Sequence, residues 1–196
     1  VIATYTSWGN IMGTWYSYTM RRYNVDGSVD TSFTSPALEG GHLVSTSSVI
    51  ENLPDGSFYL AVSSGNHLGR SFNVSRRLSN GPADPAFSPY TASISGGSFI
   101  GIYDLSRASD GGVYVTGSLW PSMQPGVVSL IKFLPTGAND GSFTSPTVAY
   151  GSQVRALSGG KVFYTASGGT ITKPLVRLNA DGTIDSSFVL DPAITS

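Results

Sequence analysis

The chain contains no cysteine among its 196 residues. That excludes disulfides, thiol nucleophiles and thiolate-bound metals. Charge is scarce as well: Asp, Glu, Lys and Arg together make up 12%, about half the usual share. The net charge is −1, so there is no basic field to attract nucleic acid and no acidic tail. No apolar run approaches the ~18 residues that would cross a bilayer as a helix, so membrane insertion is not expected. Histidine occurs only at His42 and His67, and a zinc site would need both plus a carboxylate from a distant segment. The sequence also lacks a Gly-x-Ser-x-Gly nucleophile elbow and a phosphate-binding glycine-rich helix start. What is abundant is glycine (24), proline (11) and a 40% hydrophobic share. That mixture is too apolar for disorder and suits many short strands separated by turns.

One motif recurs four times with fixed internal spacing: a basic residue, Gly five positions later, Asp three after that, Phe three further on. The copies are Arg22-Gly27-Asp30-Phe33, Arg76-Gly81-Asp84-Phe87, Lys132-Gly137-Asp140-Phe143 and Arg177-Gly182-Asp185-Phe188. A proline follows each Phe (Pro36, Pro89, Pro146, Pro192), and successive Phe residues are 54, 56 and 45 positions apart. A rigid motif joined by elastic segments marks a repeat protein with variable loops.

A second turn precedes three of the motifs. Asp55-Gly56, Asp110-Gly111 and Gly159-Gly160 each run into β-branched and aromatic residues. Such dipeptides predict hairpins in which both central residues take positive φ. Apolar stretches lie upstream at 49–53, 102–105 and 154–157, and third strands downstream at 71–78, 127–133 and 174–178. After each motif glycine a short fourth strand or extended segment is expected. Units of three to four antiparallel strands in roughly 45–56 residues match propeller blades; a sandwich, the main rival, does not need one motif four times. The predicted class is therefore all-β, a β-propeller of about four blades or blade fragments, as a single array over 1–196. The approximate repeats are 1–33, 34–87, 88–143 and 144–188, with 189–196 starting a further unit. Residues 1–6 read as a strand that should follow a turn, and the chain opens at Val1, not Met. The expectation is a processed or excised piece of a larger ring or array, its edges covered by other protein chains or by further segments of the same protein.

The motif residues have a structural explanation. The Asp can accept N–H bonds from the Ser and Phe that follow it, the basic residue across the hairpin can pair with it, and the Phe can drop between neighbouring blades, worth ~2 kcal/mol or more. A calcium loop is the alternative for 24–30 and 179–185, but an EF-hand needs further acidic ligands, including a closing Glu, that are absent. No metal or cofactor is expected. The pattern Arg-Leu-Asn-x-Asp-Gly-x-x-Asp-x-Ser-Phe, fullest at 177–188, resembles the delta-60 repeat family of β-propeller-like bacterial and phage proteins. The resemblance spans nearly the whole chain and departs at Pro82 and Pro85. It implies a propeller and no particular reaction.

Eight of the twelve acidic residues fall in motifs or turns; Glu39, Glu51, Asp104 and Asp191 remain. Glu51 and Asp104 occupy nearly equivalent places in successive units, the best pair for a glycosidase if their separation suited it, although surface or strand-edge carboxylates explain them as well. Aromatic faces beside Gly or Pro can stack on sugars or grip a partner. Trp8 and Trp120 are in that setting and, with His67, form the candidate ligand-binding set; Trp15, Tyr16 and Tyr18 alternate as a packing strand would. The expected function is a non-enzymatic structural and binding module of a virion, such as a phage tail, or of a bacterial surface. A glycan-binding propeller recognising cell-surface glycan is the alternative, and a glycoside hydrolase a remote one. A lectin should repeat its aromatic set in each blade, and Trp8 and Trp120 have no evident counterparts in the second and fourth repeats.

Overall fold

The computed structural model describes residues 2–7, 18–36, 45–66, 69–95, 100–119, 128–146, 150–167 and 174–191. They form four antiparallel sheets in chain order. The first pairs β1 (Ile2–Ser7) with β2 (Tyr18–Tyr23). The second is β3 (Ser45–Asn52), β4 (Phe58–Asn66), β5 (Gly69–Arg77) and β6 (Tyr90–Ser95). The third is β7 (Ile100–Arg107), β8 (Val113–Leu119) and β9 (Val128–Phe133), and the fourth β10 (Tyr150–Ala156), β11 (Val162–Ser167) and β12 (Leu175–Leu178). Among the described residues helix is confined to one 3-10 turn, Ser158–Gly160. The all-β expectation is borne out.

One five-residue turn recurs seven times among the described residues: at 53–57, 108–112 and 157–161 it joins two strands, and at 24–28, 78–82, 134–138 and 179–183 it follows the strand that carries the motif's basic residue. The amide of its first residue bonds the carbonyl of the fifth, and the glycine at the fourth bonds back to the carbonyl of the first: Asn24 with Ser28 and Gly27, Leu53 with Ser57 and Gly56, Ala108 with Gly112 and Gly111 are examples. The expected pairs of positive φ values do not occur at the Asp-Gly turns. Among the described residues positive φ is confined to glycine, as at Gly27 (84°), Gly56 (82°) and Gly111 (87°). The aspartate stays at negative φ because its carboxylate accepts the amide two residues on: Asp26 from Ser28, Asp55 from Ser57, Asp110 from Gly112, Asp181 from Thr183. That is an Asx turn followed by a left-handed glycine, the three-residue hairpin loop.

After the motif glycine the chain makes a single bridge back to its sheet (Tyr23 with Val29, Arg77 with Ala83, Phe133 with Asn139, Leu178 with Ile184), the extended segment and not the short strand of the two expected forms. The fourth strand described in the second sheet, β6, comes after Phe87 and pairs with β5.

The core lies between sheets. Met20, Phe58 and Leu60 are buried together with Phe33, Ile50 and Val62 against them, joining the first and second sheets. Tyr59, Phe72, Val74 and Phe87 join Ile102, Leu105, Val113 and Phe133 across the second and third. Tyr114 and Leu130 join Val154, Tyr164 and Leu178 across the third and fourth. The motif Phe side chains are less uniform than expected. Phe87 is fully buried at 2% exposure, but Phe33, Phe143 and Phe188 are only partly buried. Each of the last three repeats sets its Phe against an aromatic of its own second strand: Phe87 on Tyr59, Phe143 on Tyr114, Phe188 on Phe163, with centroids 5.6, 5.4 and 5.3 Å apart. Phe87 sinks further because the third sheet also packs over it.

Consecutive units meet at the motif glycine. The amide after each Phe donates to the carbonyl just before the next glycine: Thr34 to Asn80 (2.7 Å), Ser88 to Thr136 (2.8 Å), Thr144 to Asp181 (2.8 Å). The carbonyls of the same three residues lie 1.9, 2.0 and 2.1 Å from where a Cβ on Gly81, Gly137 and Gly182 would stand. These glycines are therefore required twice, for positive φ and for backbone contact.

Two outcomes follow for denaturant unfolding. Gly27, whose Cβ position is open, should tolerate alanine at the cost of left-handed backbone alone, ~1–2 kcal/mol. Gly81→Ala should cost clearly more, because Thr34 must also move. Likewise Phe87→Ala should lose ~3–5 kcal/mol, and Phe143→Ala distinctly less. Equal losses within either pair would contradict the packing described.

Candidate functional site

The motif places one cation between a carboxylate and a ring. A backbone bond from the Asp amide to the carbonyl of the basic residue fixes the two side by side, at 2.9, 2.9, 2.9 and 2.8 Å in the four repeats. The side chains then close: Arg22 Nη2 to Asp30 at 2.7 Å, Arg76 Nε to Asp84 at 2.6 Å, Lys132 Nζ to Asp140 at 2.9 Å, Arg177 Nε to Asp185 at 2.7 Å. The second carboxylate oxygen accepts the amide two residues on, from Ser32, Ala86, Ser142 and Ser187. The Phe amide, expected to bond the same carboxylate, bonds the Asp main-chain carbonyl instead. The three arginines stand over their own motif Phe, 5.1, 6.0 and 5.1 Å from the ring centre. Lysine lacks a flat guanidinium to stack, and Lys132 lies over Tyr114 at 5.8 Å.

The third and fourth repeats balance this cage in opposite ways. Lys132 has a second carboxylate, Asp110, at 2.7 Å from the preceding hairpin turn. In the fourth repeat that turn carries Gly159 in place of an aspartate, and Lys161 enters to pair with Asp185 beside Arg177. One repeat thus holds one cation and two anions, the other two cations and one anion. Neither extra partner was evident from motif spacing. The contrast between Asp110 and the Gly159-Gly160-Lys161 turn was the available signal.

These contacts hold the carboxyls below their ordinary value of 3.8. For Asp30 and Asp140 the serine hydroxyl two residues on is the main cause, with the basic partner next. For Asp84, where Ala86 supplies no hydroxyl, the Ala86 amide leads and burial opposes. For Asp185 the Lys161 ammonium leads. Burial alone would lower Lys132, but hydrogen bonds to Asp110 and Asp140 outweigh it and hold the ammonium well above its ordinary 10.5.

Glu51 and Asp104 prove to be two positions out of register. Glu51 corresponds to Ser106, each being five residues before its turn glycine. Both reach to the next unit: Glu51 Oε1 accepts the Arg107 amide at 3.2 Å, and Ser106 Oγ the Ala156 amide at 2.9 Å. Asp104 follows a bulge in β7; its Oδ2 accepts the Val154 amide at 3.0 Å and lies 3.5 Å from Arg155. The two carboxylates are therefore clamps between units, facing different neighbours.

A cleft of about 330 Å³ opens between the second and third units, lined by Asp55, Arg76, Asp84, Arg107, Gly111 and Pro135 among others. Three of its charged groups already have partners: Asp55 accepts the Ser57 hydroxyl, and Arg76 pairs with Asp84. The Tyr59 hydroxyl crosses the same junction to the Gly111 carbonyl at 2.5 Å. Trp8, His67 and Trp120 lie outside the described residues, as do Trp15, Tyr16, Glu39 and His42. For the calcium alternative, Asp26 is committed to Ser28 and Asp30 to Arg22 and Ser32. Among the described residues no three metal-ligating side chains converge, and no helix is long and apolar enough to cross a membrane.

A family model described as a domain of unknown function (DUF5122) beta-propeller matches residues 13–33 and 162–188. The matched stretches end on Phe33 and Phe188, and they bear out both the repeat-family resemblance and the β-propeller class. A crystal structure of a protein of unknown function from Bacteroides caccae is similar over 87% of this chain and 75% of that one, at 11% identity and a TM-score of 0.35. No curated protein matches the chain.

The ionic cages set a pH dependence. Because the folded carboxyls lie below 3.8, the unfolded chain binds more protons in acid, so their contribution is complete above that value and lost as pH falls through the folded values. Lys132 works in the opposite sense, its contribution disappearing only as pH rises beyond 10.5. Urea midpoints should be nearly level between pH 5 and 8 and fall steeply below about pH 4. A midpoint unchanged at pH 2.5 would show that the four cages do not support the fold.

Proposed function

We propose that the chain is a non-enzymatic propeller scaffold that joins units and presents its variable inter-strand segments to a partner, as part of a bacterial cell surface or a virion such as a phage tail. The observation that carries this reading is the use of Glu51 and Asp104, the carboxylates best suited to chemistry, as acceptors for main-chain amides of the next unit. With the motif and turn aspartates tied to cations and turn amides, the described carboxylates serve the architecture. Sparse charge and plentiful Ser, Thr, Asn and Gly suit a surface exposed to many neighbours without strong nonspecific attraction. Glycan recognition through Trp8, His67 and Trp120 is the alternative within the same reading, because such side chains grip sugar faces.

Substitution separates these possibilities. Asp104→Ala should lower stability by ~1–3 kcal/mol by orphaning the Val154 amide, and Glu51→Ala by less, since its contact is exposed. The purified chain should cleave no aryl glycoside. Glycosidase activity lost in Glu51→Gln or Asp104→Asn with the fold intact would overturn the scaffold reading. Glycan-array binding lost in Trp120→Ala or Trp8→Ala would select the glycan-binding form of it.

A further inference from the structure

The cleft between the second and third units holds a charged group that the architecture does not use. Arg107 lines it and gives its main-chain amide to Glu51. Its side chain is exposed and makes no hydrogen bond or ion pair among the described residues. The counterparts of Arg107, four residues before the turn glycine, are Asn52 in the second unit and Ala156 in the fourth, so the repeat does not require a cation there. Asp55, in the same cleft, is only half committed. Its Oδ1 accepts the Ser57 amide and hydroxyl, but its Oδ2 accepts nothing from another of the described residues. In the third unit the equivalent aspartate, Asp110, is closed off by Lys132 at 2.7 Å; in the second, Arg76 pairs with Asp84 instead.

The remaining wall is apolar: Leu53, Pro54, Leu78 and Pro135, with Leu78 left 38% exposed. Both sheets turn at this end, at 53–57, 78–82, 108–112 and 134–138. Between Ser45 and Phe143 the segments outside the described residues are 67–68, 96–99 and 120–127. All three join strands at the opposite end, where Asn66 lies across from Gly69, Gly69 from Ser95, and Leu119 from Ile100 and Val128.

A ligand for this cleft needs an anion for Arg107, hydrogen donors for the Asp55 oxygen and an apolar face for the wall. It must fit about 330 Å³, the lower end of small-ligand sites. A sugar acid carries all three features on one ring, whereas an acidic peptide spreads them over several residues. We infer that the cleft binds a uronate sugar. The carboxylate takes the Arg107 fork in charge-assisted hydrogen bonds, ring hydroxyls donate to Asp55 Oδ2, and the C–H face of the ring lies on Pro54, Leu78 and Pro135. The inference does not depend on the scaffold reading, because neither the Arg107 guanidinium nor Asp55 Oδ2 holds a joint together.

Nuclear magnetic resonance titration of the whole chain at low salt tests it, with D-glucuronate as the probe. D-glucose, propionate and the peptide N-acetyl-Leu-Glu-Leu-amide are the comparisons. Glucuronate should shift the amides of Asp55, Arg107 and Gly111 saturably, and each comparison should bind more weakly. Arg107→Ala should weaken glucuronate roughly tenfold or more without moving the urea midpoint, and Arg107→Lys should weaken it less. Asp55→Asn retains an oxygen for the Ser57 bonds but replaces the free acceptor by a donor, so it should weaken glucuronate and leave propionate unaffected. No saturable shift with glucuronate, binding indifferent to both Arg107→Ala and Asp55→Asn, or propionate or the peptide binding as tightly as glucuronate would each overturn the inference.

Discussion

A glycine that accepts another unit's carbonyl on its Cα is the constraint on which this array depends. At Gly81, Gly137 and Gly182 any side chain would collide with the main chain of the preceding unit. The neighbouring amide-to-carbonyl bond, 2.7–2.8 Å at all three joints, turns that close approach into a directed link. Hydrophobic burial between sheets supplies the larger driving force, but burial is not directional. The joint makes each sheet stack on the last in the same way, even though the segments between motifs differ in length.

The rest of the motif serves that joint. The five-residue turn presents the glycine and the carbonyl before it. The basic residue, clamped between carboxylate and ring, holds the chain from Asp to Phe against its own sheet, so that the next amide emerges in the right place. Lysine replaces arginine once, and there the cage gains Asp110 as a second anion. Where the turn aspartate is missing, Lys161 supplies a second cation from the opposite side of the balance. Both solutions keep the Asp ionised, which ties the architecture to pH through its carboxyls.

Much of this was legible in the sequence because it is periodic. Four equal spacings locate the hairpins, the cation–carboxylate pairs and the strand order without reference to coordinates. The paired positive φ values expected at the second turn occur at Gly159-Gly160 but not at the Asp-Gly turns, because Asp-Gly suits either of two hairpin loops and the aspartate side chain bonding forward to Ser28, Ser57 or Thr183 selects the one with a single positive φ. Uniform burial of the motif Phe was expected since the motif is uniform, yet burial depends on what the next sheet places above it, and only Phe87 has enough. Glu51 and Asp104 were matched as neighbouring carboxylates, whereas counting back from the turn glycines Gly56 and Gly111 pairs Glu51 with Ser106. The inter-unit bond itself was hidden because its donor is the main-chain amide of the residue after Phe; Thr34, Ser88 and Thr144 carry hydroxyls, but this bond does not use them.

Native-state hydrogen exchange reads that bond directly. The amides of Thr34, Ser88 and Thr144 should exchange as slowly as those of the central strands β4 and β8. Rapid exchange at the three internal positions, with the strands still protected, would mean that the sheets stack without this joint and would contradict the account.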